Sequence, residues 1–262
     1  MNMFEEFENE NEKPLDRLVN DGGYASVFRK IGFVGDSLSS GEFEVWDSNK
    51  EKRYLDMFEY SWGQHIARMC GSKGVNFSRG GMTAKEYCES FAELNRYWDS
   101  ANACQCYCVA LGVNDLFGLG QEVGSAEDID KDDWHNNKQT FAGYYAQIIM
   151  RLKKIQPRAK FFLMTMPNEE SDDERLTGLK KAHRELLYKF AELFDNTYVL
   201  DFYQYAPVYD EKFKKRFYLG GHLNPMGYRL TAVMTVSYID YIIRHNMEDF
   251  REIALIGTDL HG

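Results

Sequence analysis

The 262-residue chain is short of basic residues, with 31 Lys and Arg against 41 Asp and Glu and a formal charge of −10. Nucleic-acid phosphates require clustered cations, so an acidic balance argues against nucleic acid as a partner. The one basic cluster, Lys212-Phe213-Lys214-Lys215-Arg216, reads as a solvated loop. No stretch is long and apolar enough to span a bilayer. Residues 1–14 are rich in Glu and Asn and lack the apolar core of a secretory signal. Together these absences predict no membrane partner and a cytoplasmic location. The cysteines number five, an odd count that suits reduced thiols better than a disulfide framework. Cys104, Cys106 and Cys108 alternate, so on a strand they share one face. Ligands spaced that way splay along the strand, which favours small buried hydrophobes over a metal site. Internal repeats, low-complexity tracts and linkers are also missing, which predicts one domain over 1–262.

What remains is an alternation of short β-prone runs with longer amphipathic ones. Strands are expected at Lys30–Val34, Gly74–Phe77, Cys104–Leu111, Lys160–Thr165 and Thr197–Asp201. Helices are expected at Met57–Cys70, Thr83–Trp98, Lys138–Ile155, Asp172–Phe194 and from Pro225 to about Arg244. Such alternation predicts an α/β fold, a parallel sheet with helices on both faces and all strand carboxyl ends on one edge. Residues 1–21 read as a surface arm. Residues 118–138 form a long Gly- and Asp-rich loop, of the kind that serves as a lid or binding loop. The tail 250–262 is expected to pack on the sheet edge or on another subunit.

Chemistry concentrates where strands end. Ser37, in Gly35-Asp36-Ser37-Leu38, follows the first strand, where side chains project into the ligand crevice of an open α/β sheet. A serine there becomes a nucleophile if a base reaches it, although the same residues can simply cap a helix. Gly80 and Gly81 follow the second strand, Asn114 follows the third, and His222 precedes the last helix. Acyl transfer uses all of these types. Histidine titrates near working pH and can accept the hydroxyl proton. The tetrahedral oxyanion wants preorganised donors, which the Ser37 amide, the Gly81 amide and the Asn114 side chain can supply.

The four blocks, in this order, resemble the SGNH or GDSL hydrolase superfamily. Gly35-Asp36-Ser37-Leu38 matches its nucleophile block, Asn76 through Thr83 its glycine block, and Gly112-Val113-Asn114-Asp115 its Gly-x-Asn-Asp block. His222 with Asn224-Pro225 and Gly227-Tyr228 resembles its histidine block. The resemblance implies a flavodoxin-like three-layer α/β/α sandwich with a five-stranded parallel sheet, and metal- and cofactor-free esterase, lipase or deacylase chemistry. It assigns Ser37 and His222 as the catalytic pair. The substrate it suggests is a small ester, in particular an acetylated sugar. The alternatives are a longer-chain lipase or thioesterase, or a non-catalytic ligand-binding module. Asp36, Arg79 and Gly80 are candidate substrate neighbours. Asp36 and Asp115 lack the His or Glu companions of a metal-dependent phosphoesterase and read as hydrogen-bonding groups.

The chain departs from the family at one point. Leu219 stands where an aspartate usually orients the histidine. A backbone carbonyl near Leu219 is the expected substitute, then Asp201, then Asp210 or Glu211. Trp46, Trp62 and Trp134 are placed near the crevice, while His135 and His183 read as surface residues.

Overall fold

A computed structural model describes residue 4, residue 7 and residues 9–171 and 173–262. Position 172, the expected start of one helix, and most of residues 1–8 of the expected arm lie outside the described residues.

The order of elements is β1 (Lys30–Gly35), α1 (Ser37–Ser40), β2 (Glu42–Trp46), β3 (Lys52–Asp56), α2 (Trp62–Cys70) and β4 (Lys73–Ser78). A helical stretch α3 over 84–94 follows, widened in its middle by a π turn at Tyr87–Phe91. Next come β5 (Cys106–Ala110), α4 (Phe141–Ile155), β6 (Lys160–Met164), α5 (Glu174–Leu193), β7 (Thr197–Leu200), α6 (Phe202–Tyr205) and α7 (Glu211–Phe217). The chain finishes with β8 (Tyr218–Leu219), β9 (His222–Leu223), α8 (Pro225–His245) and α9 (Met247–Phe250).

Five strands form one parallel sheet in the order β4-β1-β5-β6-β7. The chain leaves β1 for one side, to β4, then crosses back to β5 on the other. The strand order therefore reverses between β1 and β5, and a crevice opens at their carboxyl ends. The centre of the sheet is tightly drawn. A Cβ at Gly32 would lie 2.6 Å from Tyr107 and 2.7 Å from Phe77, so only glycine lets β4 and β5 carry those rings beside β1.

Two apolar layers sandwich the sheet. One gathers Phe77, Tyr107 and Phe161 under Tyr87, Phe141, Tyr145 and Phe190 from α3, α4 and α5. The other gathers Phe33, Cys106, Cys108 and Phe162 under Trp62, Ile66 and the buried face of α8. Cys106 and Cys108 share a face, as expected, but Cys104 lies ahead of β5 and packs in the opposite layer. All five cysteines are free and buried, and burial pushes their thiols up.

Several helices begin where the sequence supplies a cap. Ser61 accepts from the Gln64 amide, Thr140 from Gly143, and Asn224 from Gly227 with Pro225 in the first turn. The Ser61 cap also corrects the expected start at Met57: only a 3-10 turn, Phe58–Tyr60, precedes α2. Lys212–Arg216 is not a loop but most of α7, started by the Asp210 cap on Phe213.

The peripheral segments are pinned. Glu12 pairs with the buried Arg244 of α8, and the Val19 amide donates to Ser237. The C-terminal tail packs on the amino-end edge of the chain's own sheet. There Gln105 donates to the Ile253 carbonyl and Arg158 to the carbonyls of Leu255, Thr258 and Leu260. Residues 118–138 are folded down against α4. The buried Asp128 carboxylate accepts from Lys138, Thr140 and the Ser125 amide, and Ile129 and Trp134 join the core.

Candidate active site

The segment after β1 turns sharply. Asp36 is extended and accepts from the Leu38 amide at 3.1 Å, which starts α1 with Ser37 as its first residue. Among the described residues, no hydrogen bond uses the Ser37 amide. After β4, Arg79–Met82 forms a turn in which Gly81 takes φ 72°, a left-handed conformation that favours glycine. The Gly81 amide is likewise not taken up by any acceptor among the described residues, and nothing lies within 4 Å of where its Cβ would be. After β5, Gly112 at φ 134° bends the chain into a π turn, Asn114–Gly118, closed by the Leu119 amide on the Asn114 carbonyl. The Asn114 side-chain amide donates one proton to the Met82 carbonyl at 3.0 Å, which ties it to the glycine turn and leaves its second proton for a ligand. Asp115 points inward and accepts from the Ala84 amide at 2.8 Å. Ser37, Gly81 and Asn114 thus hang from the carboxyl ends of β1, β4 and β5.

Burial dominates the electrostatics here. It pushes the Asp36 carboxyl up to about 7 and the Asp115 carboxyl up to about 6. His183, expected at the surface, is instead fully buried beneath this site. Its Nε2 donates to the Leu111 carbonyl at 3.1 Å, and its ring presses on Gly112. Burial lowers its pKa to about 4, so the ring is neutral.

His222 opens the second strand of a tight hairpin, β8–β9, in which Leu219 pairs directly with His222 across the turn Gly220-Gly221. Strand β9 packs against α1, so the imidazole and Ser37 stand on neighbouring elements. No hydrogen bond joins them. The ring Nε2 lies instead 3.1 Å from Glu42 Oε1, and Nδ1 lies 4.0 Å from Glu44 Oε2. Tyr54 meets the ring edge-on at 5.7 Å. Burial lowers the His222 pKa, with Glu44 and Asp56 opposing the shift.

Glu42, Glu44, Tyr54 and Asp56 all belong to the antiparallel ribbon β2–β3, inserted directly after α1. This ribbon was not expected. Its signal, the alternation Glu42-Phe43-Glu44-Val45-Trp46 with two apolar residues on one face, is short and sits against a helix-like Ser-Leu-Ser-Ser. The Glu42 carboxylate lies against Gly80, where a Cβ would fall 1.9 Å from Oε2, so Gly80 makes room for Glu42. Burial, then Asp56, raises the Glu42 pKa.

The expected alternatives for orienting His222 lie elsewhere. No hydrogen bond reaches His222 Nδ1, from the Leu219 carbonyl or any other group among the described residues. Asp201 is fully buried and accepts from Arg184 at 2.7 Å and Tyr188 at 2.8 Å, besides capping α6 at Gln204. Asp210 caps Phe213. Arg79 is engaged by Glu86 at 2.6 Å and lies over Phe91. Trp134 sits under Lys154 and Arg151 rather than at the crevice, Trp46 is exposed on the ribbon, and Trp62 is buried against Phe33.

Beside the nucleophile turn lies an apolar cavity of about 90 Å³. Both chain neighbours of Ser37, namely Asp36 and Leu38, reach its wall, with Trp62, Met164, Phe202 and Leu223. Residues 118–138, expected as a lid, do not line it.

Solved structures share this architecture at low identity. A family two carbohydrate esterase from Clostridium thermocellum, in complex with cellohexaose, is 16% identical with a TM-score of 0.56 over 84% of this chain and 65% of its own. The Clostridium thermocellum family 3 carbohydrate esterase is 14% identical with a TM-score of 0.53, covering 82% and 97%. The lipase Lip_vut3 from a goat rumen metagenome is 13% identical with a TM-score of 0.54, covering 80% and 97%. No curated protein matches the chain. Residues 33–230 match the model of the GDSL-like lipase/acylhydrolase family, a span that carries the nucleophile turn, the glycine turn, the asparagine turn and the histidine hairpin, and the chain belongs to that family.

Proposed function

We propose that the protein is a serine esterase that removes small acyl groups, acetyl esters of carbohydrates foremost. The observation that carries this reading is the convergence at the strand-order reversal. Ser37, the unengaged Gly81 amide and the half-engaged Asn114 amide hang from adjacent strand ends, and β9 brings His222 against the same turn. His222 takes the Ser37 proton as Oγ attacks the ester carbonyl. The oxyanion is met by the amides of Ser37 and Gly81 and by Asn114 Nδ2. Collapse releases the alcohol with the proton from His222 and leaves an acyl-enzyme. A water, deprotonated by the same imidazole, then attacks the acyl carbon and frees the acid and Ser37.

The cavity supports the size of the acyl group. Its 90 Å³ suits a chain of a few carbons, and its apolar wall suits a methyl or ethyl end. The carbohydrate part rests on the two esterase neighbours.

The contact between His222 Nε2 and Glu42 favours a second reading, a binding module in which the imidazole no longer serves Ser37. A fluorophosphonate probe separates the two. The esterase reading expects a Ser37 adduct that disappears in Ser37→Ala, and turnover of p-nitrophenyl acetate that falls by roughly 10⁴-fold or more in His222→Ala. Folded wild-type protein that takes no label and turns over no ester would establish the binding module. A panel of acyl lengths and acetylated sugars then fixes the substrate, with turnover expected to drop beyond short chains.

A further inference from the structure

The family's orienting aspartate is replaced by Leu219, half-exposed and in register with His222. The buried Nδ1 of His222 has no hydrogen-bond partner among the described residues. An unpartnered nitrogen at that place would let the ring adopt the wrong tautomer and leave an imidazolium uncompensated.

We infer that Glu44, reached through the β2–β3 ribbon rather than through the histidine block, is the positioning residue of His222. Four observations place it there. It is the carboxylate on the Nδ1 side, with Oε2 at 4.0 Å. The same Oε2 accepts the Gly221 amide at 3.1 Å, so the carboxylate is fixed to the residue directly before the histidine. Its other oxygen is held by Lys52 at 2.8 Å, and the residue is buried. Finally, the Gly220-Gly221 turn is shaped around it: Cβ atoms at those positions would lie 2.6 and 3.1 Å from its carboxylate oxygens. The hairpin thus wraps a carboxylate that its own sequence does not supply. A shift of about 1 Å brings Oε2 into hydrogen-bonding range of Nδ1. Nδ1–H then donates to Glu44, Nε2 carries the lone pair that accepts the Ser37 proton, and Glu44 stays ionised as the imidazolium forms. In the resting state the Nε2 lone pair accepts the proton of a carboxylic Glu42, which yields that nitrogen to Ser37.

The inference rests on the esterase reading, and its tests separate the two. The charged and titratable groups around the ring are Glu42 and Glu44 from β2 and Lys52, Tyr54 and Asp56 from β3, with Asp36 beside α1 acting on Glu42. Glu44→Gln keeps the shape and removes the charge. It is expected to lower kcat by between about 10²- and 10⁴-fold with KM little changed, and to move the imidazole limb of the kcat/KM profile to lower pH. Glu44→Asp restores part of the rate. Lys52→Gln removes the cation that lowers the His222 pKa, and is expected to move the same limb to higher pH. Nitrogen-15 NMR of wild-type protein adds a readout independent of turnover and of variant folding: neutral His222 should carry its proton on Nδ1. A proton on Nε2, or full kcat and an unmoved profile in Glu44→Gln, or the large loss appearing in Glu42→Gln instead, would overturn the inference. Absent fluorophosphonate labelling of wild type would sink the esterase reading while leaving the NMR result to decide Glu44.

Discussion

His183 offers a quantitative test of how the asparagine turn is supported. The ring is fully buried, and its Nε2–H is committed to the Leu111 carbonyl, so a second proton on Nδ1 would place a charge in an apolar layer. Its folded pKa near 4, against an ordinary 6.5, means that the unfolded chain binds more protons between those values. Stability from this group is therefore complete above about pH 6.5 and is lost as pH falls toward 4. Linkage puts the full loss at about 3 kcal/mol, and the part lost between pH 7.5 and pH 5 at about 2 kcal/mol. The wild-type curve alone does not isolate it. Asp36 and Asp115 have raised folded pKa values, about 7 and about 6, so they act in the opposite sense: their contribution is lost as pH rises through the same window. His183→Gln solves this, since Gln can still donate to Leu111 and carries no titratable group while both aspartates stay. Urea unfolding at the two pH values should show wild type losing about 2 kcal/mol more than His183→Gln on acidification. Parallel losses, equal within about 0.5 kcal/mol, would show that the ring is not held neutral, and the account of its burial would fail.

Two further outcomes follow from packing. Gly112→Ala forces a side chain at φ 134° and sets its Cβ 2.9 Å from His183 Nε2 and 3.0 Å from Met166 Cε. A loss of about 2–5 kcal/mol, seen as a melting temperature lower by roughly 5–15 °C, is expected, together with loss of turnover because Asn114 is displaced. An unchanged melt would refute the close approach. Asp201→Asn should cost about 2–4 kcal/mol by weakening the contacts to Arg184 and Tyr188, while kcat per folded molecule stays near wild type. A catalytic loss matching His222→Ala would return Asp201 to the site.

The parallel sheet was legible because its strands are buried on both faces and read as short apolar runs between amphipathic helices. Ser37, Gly81 and Asn114 were legible for the same reason: each follows such a run, so topology alone sends it to one edge. What was not legible came from contacts distant in sequence. Glu42 and Glu44 look like ordinary surface acids until β2 folds back beside residues about 180 positions later. His183 looked exposed because α5 is strongly charged, with Lys180, Lys181, Arg184 and Glu185 around it, and only the packing reveals that the ring faces inward. Asp201 sits at a strand end like the others, but its neighbours Arg184 and Tyr188 lie on α5, which a linear reading does not bring alongside.

Residues 42 and 44 stand two apart on one strand, so both carboxylates are aimed by the same pleat. A slip of a single residue against β3 would turn the pair outward together and put Phe43 toward the imidazole. The alignment is set by the short turn in which Asp47 gathers the amides of Asn49 and Glu51, and by Tyr228, whose hydroxyl clasps the Glu42 carbonyl at 2.6 Å. The acidity felt by one histidine is thereby settled at the far end of a ribbon, by an aspartate that never comes near it.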